Sequence, residues 1–216
     1  MILDISNEKI ELETKPFMEP KHKSIYSCKE FLIKRVIDIS PDYLAIDSPF
    51  SIPSILCDKN FKPPKREIIG EISNPYIYRY TDYFIYKKFG IKPMPPAGDR
   101  IGRITARCIE FLREFHYDGD YIKIGDKKIK IFEVFPKQIG NILVGKNYKN
   151  KKEKILNILK IDNFKYDFLK NEHFFDALLA AYSVFEILKN NTIKPENDTI
   201  KKEGWIYPIT KCSIGK

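Results

Sequence analysis

Apolar residues fall in short blocks along this chain, and the spacing inside each block separates strands from helices. Residues 2–5 and 10–17 are β-like and flank the polar stretch Ser6-Asn7-Glu8-Lys9, which predicts an antiparallel hairpin. Ser27 followed by Glu30 forms a capping box, opening a helix to about Ile37 with Phe31, Leu32 and Val36 on its buried side. After the turn Ser40-Pro41-Asp42, residues 43–47 are a short continuous apolar run, the pattern of a central parallel strand. Residues 48–73 carry several prolines and read mainly as loop. Residues 76–89 and 100–115 read as two helices around the proline-rich loop 92–98. Residues 121–124 and 128–135 form a second hairpin across Gly125-Asp126, followed by a basic amphipathic helix at 153–159. The most apolar helix spans 174–188, and 205–207 read as a short closing strand. Alternating strands and helices predict one α/β domain over residues 1–216, with a helical insertion at about 74–116.

Three carboxylates interrupt this pattern, and nothing local neutralises them. Asp47 ends the third strand directly before Ser48-Pro49, Glu133 sits among Ile131, Phe132, Val134 and Phe135, and Asp176 lies in the apolar helix. A carboxylate in such a setting costs several kcal/mol unless it is paired or holds a cation. Three of them on separate elements predict a shared oxygen-rich site for Mg²⁺ or Mn²⁺, with Asp47, Glu133 and Asp176 as ligands. His173 lies three residues before Asp176, on the same helix face, where it could complete the coordination or move a proton. Each residue also has a plainer role. Asp47 could cap the turn, Glu133 could face water or pair with a lysine, and His173 and Asp176 could complement the helix dipole.

Composition narrows the chemistry. The 216 residues carry a formal charge of +9, which favours a polyanionic partner or reflects a lysine-rich composition spread along the chain. Cys28, Cys57, Cys108 and Cys212 form no CxxC pair, and with three histidines they argue against structural zinc. No leader-like start and no membrane-length apolar segment are evident, so a cytoplasmic setting with free thiols is expected.

The segments Ile46-Asp47-Ser48-Pro49 and Glu133-Val134-Phe135-Pro136 are followed, in order, by His173-x-x-Asp176-Ala177-Leu178-x-x-Ala181 and Glu203-Gly204-Trp205-Ile206-Tyr207-Pro208. Together they resemble a family of predicted nucleases, the domain of unknown function numbered 429 in the ribonuclease H-like superfamily, over nearly the whole chain. The 173–181 helix also resembles the closing motif of RuvC-type resolvases. The resemblance implies a mixed five-stranded sheet flanked by helices, with acidic residues binding divalent metal to cut a phosphodiester. Arg79 and Asp82 in the first middle helix, and Arg103 and Arg107 in the second, also resemble polar positions of the family. The three arginines are the implied phosphate contacts, Arg107 foremost. Superfamily members begin with a central strand ending in a catalytic Asp, which this chain lacks unless its true start lies upstream of Met1; Asp4 is assigned no such role.

The expected activity is therefore a metal-dependent nuclease acting on DNA or RNA, with Asp47, Glu133 and Asp176 at the metal and His173 beside them. Lys62, Lys65, Arg66, Lys149, Lys151 and Lys152 could guide the nucleic-acid backbone. A catalytically silent nucleic-acid-binding module and a small-molecule phosphohydrolase are the alternatives.

Overall fold

The computed structural model describes residues 2–4, 11–13, 25–161 and 171–210. The expected hairpin turn at 6–9 and the strand residues 14–17 lie outside the described residues, as does Cys212. Strands β1 (Ile2–Asp4) and β2 (Glu11–Glu13) pair antiparallel, with Leu3 opposite Leu12 and Asp4 opposite Glu11. Helix α1 (Ile25–Ile39) begins two residues before Ser27, so that serine lies within the first turn. The helix also outlasts Ile37, ending where Ser40 adopts a positive φ of 44°.

Strands β3 (Tyr43–Ile46), β4 (Tyr121–Ile124) and β5 (Lys127–Glu133) make a mixed sheet in the order β3-β5-β4. β3 runs parallel to β5, and β4 returns antiparallel across Gly125-Asp126, where Gly125 supplies a φ of 56°. The protein is thus α/β, as its pattern predicts, but the five-stranded sheet implied by the resemblance is not formed among the described residues. Period-two alternation along β5 divides the core. Ile129 and Ile131 join Leu44, Ile46, Val36 of α1, and Cys108 and Leu112 of α3 (Asp99–Glu114). Phe132 and Val134 face the other way, onto Ala45 and onto Ala180 and Val184 of α6 (Glu172–Leu188). Each such fully buried aliphatic side chain contributes about 1.5–3 kcal/mol.

The remaining elements differ from the expected boundaries for local reasons. Helix α2 (Tyr80–Phe89) starts four residues later than residue 76, because Pro75 lies in a turn closed by Tyr78 N–H to the Asn74 carbonyl at 3.0 Å. Together, α2 and α3 occupy the segment expected as a helical insertion. Helix α4 (Pro136–Val144) was not foreseen, although proline at a first helical position is a start signal because its missing N–H is not needed there. It packs with α5 (Lys152–Leu159) and α6 in a second core of Ile139, Ile155, Leu159, Phe175, Leu178 and Tyr182. After the short α7 (Asp198–Lys202), capped by Asn197, residues 205–207 form no strand. They make a single parallel bridge, with Tyr207 N–H donating to the Glu133 carbonyl at 3.1 Å. Cys57 and Cys108 are free thiols, and no described helix is long and apolar enough to cross a membrane.

Candidate active site

The register Ile46 opposite Glu133 brings β3 and β5 to a common carboxyl end, the edge where α/β proteins gather ligands. Glu133 points to the same side as its partner Ile46. Asp47, one residue past the end of β3, feels the Asp176 carboxylate of α6 more strongly than it feels Glu133. The three carboxylates thus divide into a pair, Asp47 with Asp176, and a single Glu133.

Glu133 is 2% exposed and rests against Arg79, which is 0% exposed. Arg79 Nη1 donates to Glu133 Oε2 at 2.8 Å and Nη2 to Oε1 at 2.6 Å, and Phe50 N–H adds a third bond to Oε2 at 3.1 Å. The same guanidinium grips buried Asp82, from Nε to Oδ2 at 3.1 Å and from Nη2 to Oδ1 at 3.0 Å. Asp82 Oδ2 also accepts the Arg79 backbone N–H at 3.0 Å, which fixes the start of α2. Burial works against the guanidinium's charge, but Asp82 and Glu133 outweigh it and hold Arg79 protonated. Arg79, implied by the resemblance to touch phosphate, is instead spent on these two interior carboxylates.

The closing segment seals this pair. Buried Glu203 accepts the Ser54 and Tyr80 backbone N–H groups at 3.1 and 2.7 Å. Burial raises its pKa, while those two bonds and the charges of Arg66 and Arg79 oppose the rise. Gly204 has φ 91°, and a Cβ there would sit 2.8 Å from Ser51 Oγ and 3.0 Å from Arg79 Nη1. Gly204→Ala is therefore expected to cost about 1–3 kcal/mol, read as a lowered thermal midpoint, from strained φ and crowding together.

Asp176 lies in the second turn of α6, past the cap residue Asn171, whose side chain accepts from His173 N–H. Its Oδ1 accepts the Tyr148 hydroxyl at 2.8 Å, and Lys149 Nζ stands 3.3 Å from its Oδ2 while bonding Glu172 at 2.7 Å. Burial, and then the Asp176 carboxylate itself, push the Tyr148 phenol well above its ordinary range, so it remains a donor. Gly140 makes room for the Tyr148 ring, since a Cβ there would lie within 2.8 Å of the Tyr148 Cβ and closer still to the ring.

Asp47 has no hydrogen bond or ion pair among the described residues. Solvent reaches it, yet the protein crowds around it, and this desolvation, with Asp176 and then Glu133 adding like charge, pushes its pKa up to about 7. Lys149 opposes the rise only weakly. A carboxyl raised in the folded state binds a proton there that the unfolded chain has already lost. Its contribution is full below about pH 4 and is lost as pH rises toward about 7. Asp47→Asn is expected to flatten that fall in the urea-unfolding free energy.

The other expected residues lie apart from this pair. The His173 side chain is exposed in the first turn of α6, without a hydrogen-bond partner among the described residues. Arg103 and Arg107 are exposed on α3, on the face opposite Thr105, Cys108 and Leu112. Among the described residues no three His, Cys, Asp or Glu side chains form a group that could hold a metal ion. Glu133 has both oxygens committed to Arg79. Asp176 has Oδ1 engaged by Tyr148 and Oδ2 near Lys149, and Asp47 has no partner among the described residues, a donor set that would suit only a hard ion that keeps most of its waters. Tyr148 is not among the residues expected at the site, and Lys149 is expected only as one of six basic residues that could guide the nucleic-acid backbone. Compared with protein-family models, curated proteins and solved structures, the chain matches none.

Proposed function

We propose that this chain is a divalent-metal-dependent nuclease of ribonuclease H-like type, in which Asp47 and Asp176 hold a Mg²⁺ or Mn²⁺ ion and hydrolyse a phosphodiester. One observation carries the reading: among the described residues Asp47 has no partner of its own and stands near a second carboxylate, a concentration of negative charge that a bound cation would relieve. The resemblance in the segments around Asp47, Glu133, Asp176 and Glu203 supports the same chemistry.

When bound, the ion would supply positive charge to the phosphoryl oxygens as the P–O bond breaks. Tyr148 and Lys149 hold Asp176 in a fixed orientation for that role. Lys149, partly exposed and tied to Glu172, carries an ammonium beside the pair that can also meet a phosphate oxygen. Glu133, clamped from behind by Arg79, adds negative potential without offering an oxygen. The lysine-rich stretch 146–154 would attract the strand, a contribution that weakens as salt rises.

The test is cleavage of single-stranded, duplex and branched DNA and RNA, alongside free nucleotides, with and without Mg²⁺ or Mn²⁺. Cleavage is expected to require metal and to vanish in Asp47→Asn and in Asp176→Asn. Cleavage that survives both substitutions removes the site. Salt-sensitive binding that ignores metal would make the protein a silent binding module, and turnover of nucleotides alone would make it a phosphohydrolase.

A further inference from the structure

A second concave site, which shares no residue with the carboxylate pair, lies between residues 65–67 and the outer face of α2. It is a cavity of about 540 Å³, within the size range of small-ligand pockets. Four cationic side chains line it, Lys65, Arg66, Lys87 and Lys88, against two carboxylates, Glu67 and Glu196. Glu67 is already taken by Lys87 at 2.6 Å, which leaves the pocket short of negative charge.

Arg66 is the telling residue. Its Nη1 donates to the Tyr78 carbonyl at 2.9 Å, but Nε and Nη2 are buried without an acceptor. Those two donors are closed off from solvent, so the guanidinium acts on the pocket through its charge and not through a bond to the ligand. The guanidinium carbon lies 5.9 Å from the Tyr80 ring centre and 5.7 Å from that of Tyr83, so the aromatic rings compensate its charge only in part. Burial accordingly lowers the pKa of Arg66, despite distant support from Glu203 and Asp82. Phe84, with Lys88 Nζ 5.8 Å from its ring centre, completes an aromatic wall beside the ammonium groups.

We infer that this pocket binds a nucleoside monophosphate unit, its phosphate between the Lys65 and Lys88 ammonium groups with the Arg66 charge behind them, and its base against the aromatic wall. A phosphomonoester carries about −1.5 to −2 charges at neutral pH, which matches the cationic surplus. A planar base matches the tyrosine and phenylalanine rings. The unit could be a free nucleotide or the 5′-phosphorylated end of a single strand, since both present a phosphomonoester beside a base.

The experiment is calorimetric titration of the full chain, without added metal, with AMP, UMP, adenosine and inorganic phosphate. Trp205, the single tryptophan, packs 5.2 Å from Phe84 between ring centres and gives an independent fluorescence signal. AMP or UMP is expected to bind about tenfold or more tighter than adenosine or phosphate alone, because only the nucleotide engages both halves. Lys65→Glu and Lys88→Glu change solvent-exposed side chains, so the fold should survive, and each should weaken nucleotide binding about tenfold. Asp47→Asn should leave it unchanged. Displacement of AMP by a short 5′-phosphorylated oligothymidylate assigns the site to a strand end, and failure to displace assigns it to free nucleotide; the pocket stands in either case. Nucleotide binding no tighter than that of inorganic phosphate, indifference to both charge reversals, or loss in Asp47→Asn would overturn the inference.

Discussion

Replacing Arg79 with methionine is expected to remove about 3–5 kcal/mol of folding stability, the largest effect of any single substitution around the site. The change deletes four hydrogen bonds and strands Glu133 and Asp82, both at most 2% exposed, without their cation. A domain has about 5–15 kcal/mol in all, so the variant should unfold at much lower urea. Arg79→Lys should also fail to restore stability, because one ammonium cannot span two carboxylates in the forked geometry. Adding Glu133→Gln to Arg79→Met should recover part of the loss, since it removes one of the stranded charges. A loss below about 1 kcal/mol, the scale of an exposed ion pair, would mean that water reaches the pair and that Glu133 is free for other work.

Asp47→Asn should have the opposite profile. Folding stability near neutral pH should hold or rise, because the substitution relieves repulsion with Asp176 and Glu133. Metal affinity should fall by about 100-fold or more, beyond the 10–100-fold typical of residues that only support a ligand. Gain in stability with loss of function is the usual signature of a charge retained for its chemistry. Asp176→Asn should lose metal affinity equally but also disturb its bonds to Tyr148 and Lys149. Circular dichroism melts and Mn²⁺ titrations on the two variants separate these outcomes.

The elements bearing the site were legible because Asp47, Glu133 and Asp176 each break an apolar run at a definite place in a strand or helix. Period-two alternation along β5 puts Glu133 on the face of Ile131, and the core divides between that face and the face of Phe132 and Val134. The partners were not legible. Arg79 lies 54 residues from Glu133, and Tyr148 lies 28 from Asp176, and pairings of that range leave no periodic trace in a sequence. Glu133 looked un-neutralised because only its neighbours in the chain could be inspected. Tyr148 had one faint sign, Gly140, whose lack of a side chain matters only once α4 meets the segment after it. Arg79 had a phosphate role only through the resemblance, and nothing in its neighbourhood along the chain marks it as buried.

The proposed activity requires a cation that balances Asp47 and Asp176. Calorimetric titration of the chain with Mn²⁺, repeated from about pH 6 to pH 8, tests this directly. The expected result is binding that tightens as pH rises through about 7, with a proton released below that point, and that disappears in Asp47→Asn. Binding that is absent above pH 7, or that persists unchanged in Asp47→Asn, would contradict it.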